Sequence, residues 1–118
     1  MNSKISFLIA AHNEEKIIAK TLDNLINLPY QNYEVIIGLD GCTDKTEDIV
    51  KEFCKKSKKI KYYKLNLREG KPAVINILMK NASGDIVIIN DADWIFTITD
   101  HEKMKEFIFG NIRFKAFA

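Results

Sequence analysis

Apolar residues recur along this chain in two rhythms. Ile5-Ser6-Phe7-Leu8-Ile9-Ala10, residues 33–39 around Val35, Ile36 and Ile37, and Ile86-Val87-Ile88-Ile89 are short dense runs rich in β-branched residues. Such runs predict strands buried in a parallel sheet. Residues 60–65 mix lysines and tyrosines with apolar positions, which predicts a strand at a sheet edge. Between the runs the apolar positions follow a helical period. Ile17, Ile18, Thr21, Leu22, Leu25, Ile26 and Leu28 mark one helix, and Ile49, Val50, Phe53 and Cys54 a second. Ala73, Val74, Ile77, Leu78 and Ala82 mark a third, opened by Pro72 in its first turn. The order β-α-β-α-β-α-β predicts an α/β fold, a Rossmann-like doubly wound, mainly parallel sheet.

Punctuation refines these bounds. Asn13 reads as the N-cap of a helix opening with Glu14 and Glu15, and Asp44 with Glu47 as a capping pair for the next. Past Asp93 the pattern weakens. Asp100 reads as a cap, Met104, Phe107 and Ile108 as an apolar helix face, and Gly110 as a stop. Residues 111–118 fit either a strand or a tail. The expected organisation is one unit over residues 1–98, followed by a helix and tail over 99–118.

Composition narrows the class. At 118 residues with 47% hydrophobic and 29% charged positions, the chain suits one domain with a core and not a disordered segment. A net charge of +2 is mild. Lys51, Lys55, Lys56, Lys58, Lys59, Lys61 and Lys64 crowd into one interval, where they read as a solvated helix end and edge strand or as a weak attraction for an anionic membrane surface. No aromatic platform or recognition helix accompanies them, so nucleic acid is not an expected partner. Cys42 and Cys54 form no CxxC, which predicts reduced thiols in a cytoplasmic protein and no structural zinc. No run is apolar enough to span a bilayer or to act as a secretory leader.

The unusual polar residues sit where strands end. They are His12-Asn13-Glu14, Asp40 through Asp44, Gly70-Lys71 and Asp91-Ala92-Asp93. Strands of a parallel sheet all point one way, so these groups converge on one rim, where ligands of open α/β sheets bind. Glu14 and Asp40 can accept hydrogen bonds from a nucleoside. Lys71 at a helix start suits phosphate. Asp91 and Asp93 offer hard oxygen ligands to Mg²⁺ or Mn²⁺. Singly, each feature has a plainer reading: Asp40-Gly41 as a turn, His12 as a turn hydrogen-bonder, Cys42 as a serine-like turn residue beside a helix start.

Together, in this order, residues 5–15, 35–46, 70–76 and 84–93 resemble the N-terminal half of a GT-A-fold, family 2 glycosyltransferase, whose members are inverting enzymes that use nucleotide-diphospho-sugars. The resemblance covers roughly four-fifths of the chain. It implies a donor site drawn from Ala10, His12, Asn13, Glu14, Asp40, Lys71, Asn76 and Asp91, with Asp93 and Asp91 holding Mg²⁺ or Mn²⁺. Ala10 stands where the family usually has proline, His12 where it has tyrosine, and Leu39 where it has a first acid. Trp94 follows the acid pair and either packs or stacks on a ligand. Asp100 and Glu102 match no family position and read as helix-start residues.

Inverting transfer needs a base for the acceptor hydroxyl, and the family's lies far downstream of the metal motif, hence beyond Ala118. The fold is therefore expected to stop after the Asp-x-Asp strand, short of the acceptor-binding half. The expected partners are a nucleotide-diphospho-sugar, an acceptor that is a saccharide, lipid-phosphate or protein, and a membrane surface at its cytoplasmic face or a complementing chain. The alternatives are a module that holds the nucleotide-sugar without transferring it, and an unrelated doubly wound domain such as a phosphotransfer receiver or phosphatase-like fold. Those last place paired acids after the first strand, whereas here the pair follows the fourth.

Overall fold

The alternation of dense apolar runs with helical periods builds the expected order of elements. The structure, a computed structural model, describes residues 3–95 together with Lys103 and Glu106. In chain order the elements are β1 (Ile5–Ala11), α1 (Ile18–Ile26), β2 (Tyr33–Asp40), α2 (Thr46–Lys56), β3 (Ile60–Leu65), α3 (Lys71–Lys80) and β4 (Ile86–Ile89). The strands form one sheet in the order β3-β2-β1-β4, and every pairing is parallel. Of the expected helix and tail over residues 99–118, Lys103 and Glu106 are described and both are helical; the other positions lie outside the described residues.

Strand alternation sorts the side chains onto two faces. Phe7, Ile9, Val35, Ile37 and Ile88 pack with Ile18, Leu22, Leu25, Val50 and Phe53 from α1 and α2. Leu8, Ile36 and Val87 pack with Val74, Ile75 and Leu78 from α3. The sheet is thus wound on both sides. A Cβ on Gly38 of β2 would lie 2.3 Å from Val74 Cγ1, so the missing side chain is what lets α3 seat directly on the sheet. The chain steps from β1 through β2 to β3 in one direction, then crosses to the other side of β1 for β4. That reversal makes the carboxyl ends of β1 and β4 the switch point, the usual place for a ligand crevice.

Three local expectations need correction. The first helix begins at Ile18, not at Glu14, because Asn13 takes a left-handed turn (φ 49°) and directs its side chain away to another loop. Glu47 does not reach back to the start of α2; Lys51 at 3.3 Å and Lys64 at 3.1 Å draw its carboxylate away. Ile89 is 49% exposed, because β4 has β1 as its only neighbour among the described residues and α3 does not extend over it. A β-branched run reports strand propensity, not burial on both sides.

The lysine-rich interval is largely paired. Lys55 meets Glu52, Lys61 meets Glu34, and Lys56 and Lys59 lie over the rings of Phe53 and Tyr33. No helix among the described residues is long and apolar enough to cross a membrane.

At the amino ends of the strands sits a buried acid. Glu34 accepts hydrogen bonds from the Ser6 hydroxyl (2.6 Å), the Ser83 amide (2.7 Å) and the Ser83 hydroxyl (3.2 Å). Lys4 and Lys61 stand at 3.7 and 3.5 Å. Burial pushes its carboxyl up, but the hydroxyl, the amide and the two ammonium groups outweigh burial, and the pKa falls below its ordinary 4.5. As pH drops, the unfolded chain takes the proton first. The stability Glu34 confers is therefore complete above 4.5 and lost as pH falls through the lower, folded value. Urea titration of Glu34→Gln should show a loss of about 1–3 kcal/mol at pH 7, with the gap to the unsubstituted protein narrowing in acid below that range.

Candidate functional site

At the switch point lies an open cavity of about 270 Å³, lined by Ala10, Ala11, His12, Glu14, Asp40, Arg68, Lys71, Asp91, Ala92 and Asp93. Three loops and the end of β4 build it. The structure thus brings together Ala10, His12, Glu14, Asp40, Lys71, Asp91 and Asp93 from the residues singled out in the sequence. Asn13 and Asn76 are not part of its lining. Asn76 is exposed on α3.

Asn13 works between loops. Its Oδ1 accepts from the amides of Thr43 (2.8 Å) and Asp44 (3.2 Å). The link is reciprocated, since the Glu14 amide donates to Thr46 Oγ1 at 2.8 Å and the Lys45 amide to Glu15 Oε1 at 2.9 Å. Asp44 Oδ1 takes the Thr46 amide at 2.9 Å. Donors at the start of α2 that would otherwise lack helical partners are thus met partly from the β1–α1 loop. His12 completes the seam: its Nδ1–H donates to the Asp40 carbonyl at 2.7 Å, which fixes the tautomer because a carbonyl can only accept. Burial raises the Cys42 thiol pKa, and its Sγ–H donates to the Ala11 carbonyl at 3.3 Å, a turn role and not that of a thiolate.

Asp40 is buried at 3% exposure, and its carboxylate fastens the β3–α3 loop. Oδ1 accepts from the Glu69 amide at 2.6 Å and Oδ2 from the Gly70 amide at 3.0 Å. Gly41 permits this approach. Its φ of +61° suits glycine, and a Cβ there would stand 2.7 Å from the Arg68 amide nitrogen. The fastened loop presents two cations to the cavity. Lys71 Nζ meets Asp91 Oδ1 at 2.5 Å, while Arg68 Nε stays 4.0 Å from Asp40 Oδ2 with most of its side chain exposed.

The acid pair is held by its backbone. Asn90, 1% exposed, donates from Nδ2 to the carbonyls of Asp91 (2.8 Å) and Trp94 (3.3 Å). The buried Thr21 hydroxyl on α1 donates to the Ala92 carbonyl. With those carbonyls engaged, the turn exposes the side chains of Asp91, Asp93 and Trp94. Among the described residues no three His, Cys, Asp or Glu side chains gather around a common point. Two hard carboxylates beside a cavity are nonetheless a fitting donor set for Mg²⁺ or Mn²⁺, ions that keep waters and take their remaining ligands from phosphates.

Sequence reasoning passed over Arg68, Thr21 and Asn90. Arg68 had a signal, its place three residues before Lys71 in the same loop. Thr21 looked like part of an apolar helix face, and Asn90 like the end of a strand.

The sequence model described as glycosyl transferase family 2 matches residues 6–111. Poly-beta-1,6-N-acetyl-D-glucosamine synthase of Staphylococcus epidermidis is 38% identical over 91 residues, covering 77% of this chain and 22% of that protein. Among solved structures, the mannosyltransferase PcManGT from Pyrobaculum calidifontis, in complex with GDP-Man and Mn²⁺, superposes with a TM-score of 0.79 at 25% identity, over 85% of this chain and 30% of that one. S. aureus TarS 1–349 in complex with UDP-GlcNAc gives a TM-score of 0.79 at 27% identity, over 91% of this chain and 31% of that one. The chain therefore spans under a third of the length of each of these relatives. The architecture is the GT-A fold.

The Asp40 clamp is testable alone. Asp40→Asn keeps one acceptor but turns an NH₂ toward a backbone N–H. Hydrogen exchange at the Glu69 and Gly70 amides should accelerate about tenfold or more, while amides in β1 stay protected, for a local cost of about 1–3 kcal/mol.

Proposed function

Given that the chain belongs to glycosyl transferase family 2, we propose that it forms the donor-binding part of an inverting glycosyltransferase. It would hold a nucleotide-diphospho-sugar with Mg²⁺ or Mn²⁺ and deliver the sugar to an acceptor hydroxyl. The observation that carries this reading is the cavity at the β1/β4 switch point, where Arg68 and Lys71 approach from one loop and Asp91 and Asp93 from another strand end. Cations alone would suit any anion, and carboxylates alone any cation. The two together suit a diphosphate that arrives with a divalent metal. GDP-Man with Mn²⁺ and UDP-GlcNAc in the superposing structures support the same ligand class.

Each residue then has a task. Glu14 accepts hydrogen bonds from the nucleoside, together with whatever acceptor capacity Asp40 retains beside its loop amides. The β1 end at Ala10 and His12 forms the wall against which the nucleoside lies, and Asn13 keeps that wall in place. Lys71 and Arg68 bind the diphosphate oxygens, and Asn76 lies along the same helix as Lys71. Asp93 and Asp91 hold the metal, which when bound neutralises charge on the departing diphosphate. A donor held with its leaving group stabilised is ready for attack on the opposite face of the sugar, the geometry of inversion.

The base that deprotonates the acceptor is proposed to lie beyond Ala118, and the acceptor class is a saccharide, a lipid-phosphate or a protein. A cytoplasmic setting, with the lysine-rich edge toward the inner membrane face or a complementing chain, belongs to the same proposal.

Calorimetric titration with UDP- and GDP-sugars tests it. Binding should require Mn²⁺ or Mg²⁺, and Asp93→Ala should weaken it by about tenfold or more only when metal is present, as expected for loss of one charged contact. Equal binding with and without metal would sink the metal assignment.

A further inference from the structure

Resting on that reading, we infer that Lys71 is a placeholder cation: in the donor-free protein its ammonium occupies Asp91, keeps bare metal ions off the acid pair, and is drawn away when a diphosphate arrives. Lys71 Nζ pairs directly with Asp91 Oδ1, although both side chains are more than half exposed. Surface pairs of this kind are normally loose, because two side chains must be ordered against water and salt.

Here part of the ordering is built in. The Asp40 carboxylate holds the amides of Glu69 and Gly70 immediately before Lys71. On the other side, Asn90 and Thr21 hold the backbone of the turn that carries Asp91. Both partners are delivered to the cavity by fixed backbone.

The same two groups have competing uses. A carboxylate oxygen bonded to an ammonium at 2.5 Å is a poor ligand for a divalent ion, which must first displace a positive charge. A diphosphate changes the balance: it offers Lys71 a new anionic partner and brings its own oxygens to the metal. Release of Lys71 and capture of metal at Asp91 are therefore one exchange, and metal and diphosphate bind with positive coupling. Without the lysine, the acid pair is open to the metal alone.

The test measures Mn²⁺ binding to the protein with no nucleotide present, by calorimetry and by the loss of the free-ion paramagnetic resonance signal. Lys71→Ala should bind Mn²⁺ about three- to tenfold more tightly than the unsubstituted protein, the scale of one exposed ion pair plus one removed repulsion. Lys71→Arg should restore weak binding. With inorganic pyrophosphate added at fixed Mn²⁺, Lys71→Ala should bind the diphosphate less well, so the coupling shrinks from both sides. Lys71→Met gives the same comparison if Lys71→Ala melts early.

Unchanged or weaker Mn²⁺ binding in a folded Lys71→Ala protein overturns the placeholder while leaving the donor-site reading intact. Absence of Mn²⁺ binding in every form, with or without pyrophosphate, overturns both.

Discussion

Direction is the constraint on which this structure depends. Among the described residues every strand pairs in parallel, so each connection between strands passes through a helix and every strand delivers its carboxyl end to the same side. Polar residues scattered from His12 to Asp93 thereby come within one cavity. The crossover that puts β4 beside β1, and not beside β3, opens the crevice between two strand ends. Groups that are distant in sequence become neighbours through topology, and side-chain chemistry only refines their placement.

The loops at that rim are joined to one another and to the ends of the strands. Asn13 and Glu15 satisfy amides around the start of α2, His12 bonds the end of β2, and Asp40 holds the approach to α3. Each link uses a polar side chain to satisfy a backbone group left over at an element's end. Polar residues at such ends accordingly have two employers, the fold and the ligand. Asp40 serves the first through both oxygens and still faces the cavity.

That double duty sets what could be read from the sequence. Among the described residues, the four strands, the helices α1 to α3, the edge position of β3 and the convergence on one rim were legible, because apolar period and strand direction determine them. The roles of Asn13 and Glu47 were not, since a side chain that can cap its own helix can equally bond a neighbouring loop or a lysine, and only tertiary distance decides. Thr21 and Asn90 were hidden for a related reason. Their bonds are to the carbonyls of Ala92, Asp91 and Trp94, and a backbone carbonyl leaves no mark in a sequence. Ile89 shows the converse limit: β-branching marks a strand but not how many layers cover it.

The bare backbone at Gly38 has a consequence for motion. With Val74 lying where a β-carbon would be, α3 rests on the sheet with no slack beneath it. A helix seated this way acts as a fixed post. It cannot tilt inward to follow a ligand, and moving outward would open a void under Val74 and Leu78. With the helix seated and the loop ahead of it held by Asp40, the exposed side chains of Arg68 and Lys71 keep the torsional freedom at this part of the rim. Rotamer changes of exposed side chains are local and fast, on the picosecond-to-nanosecond scale, in contrast to rigid-body movement of a helix.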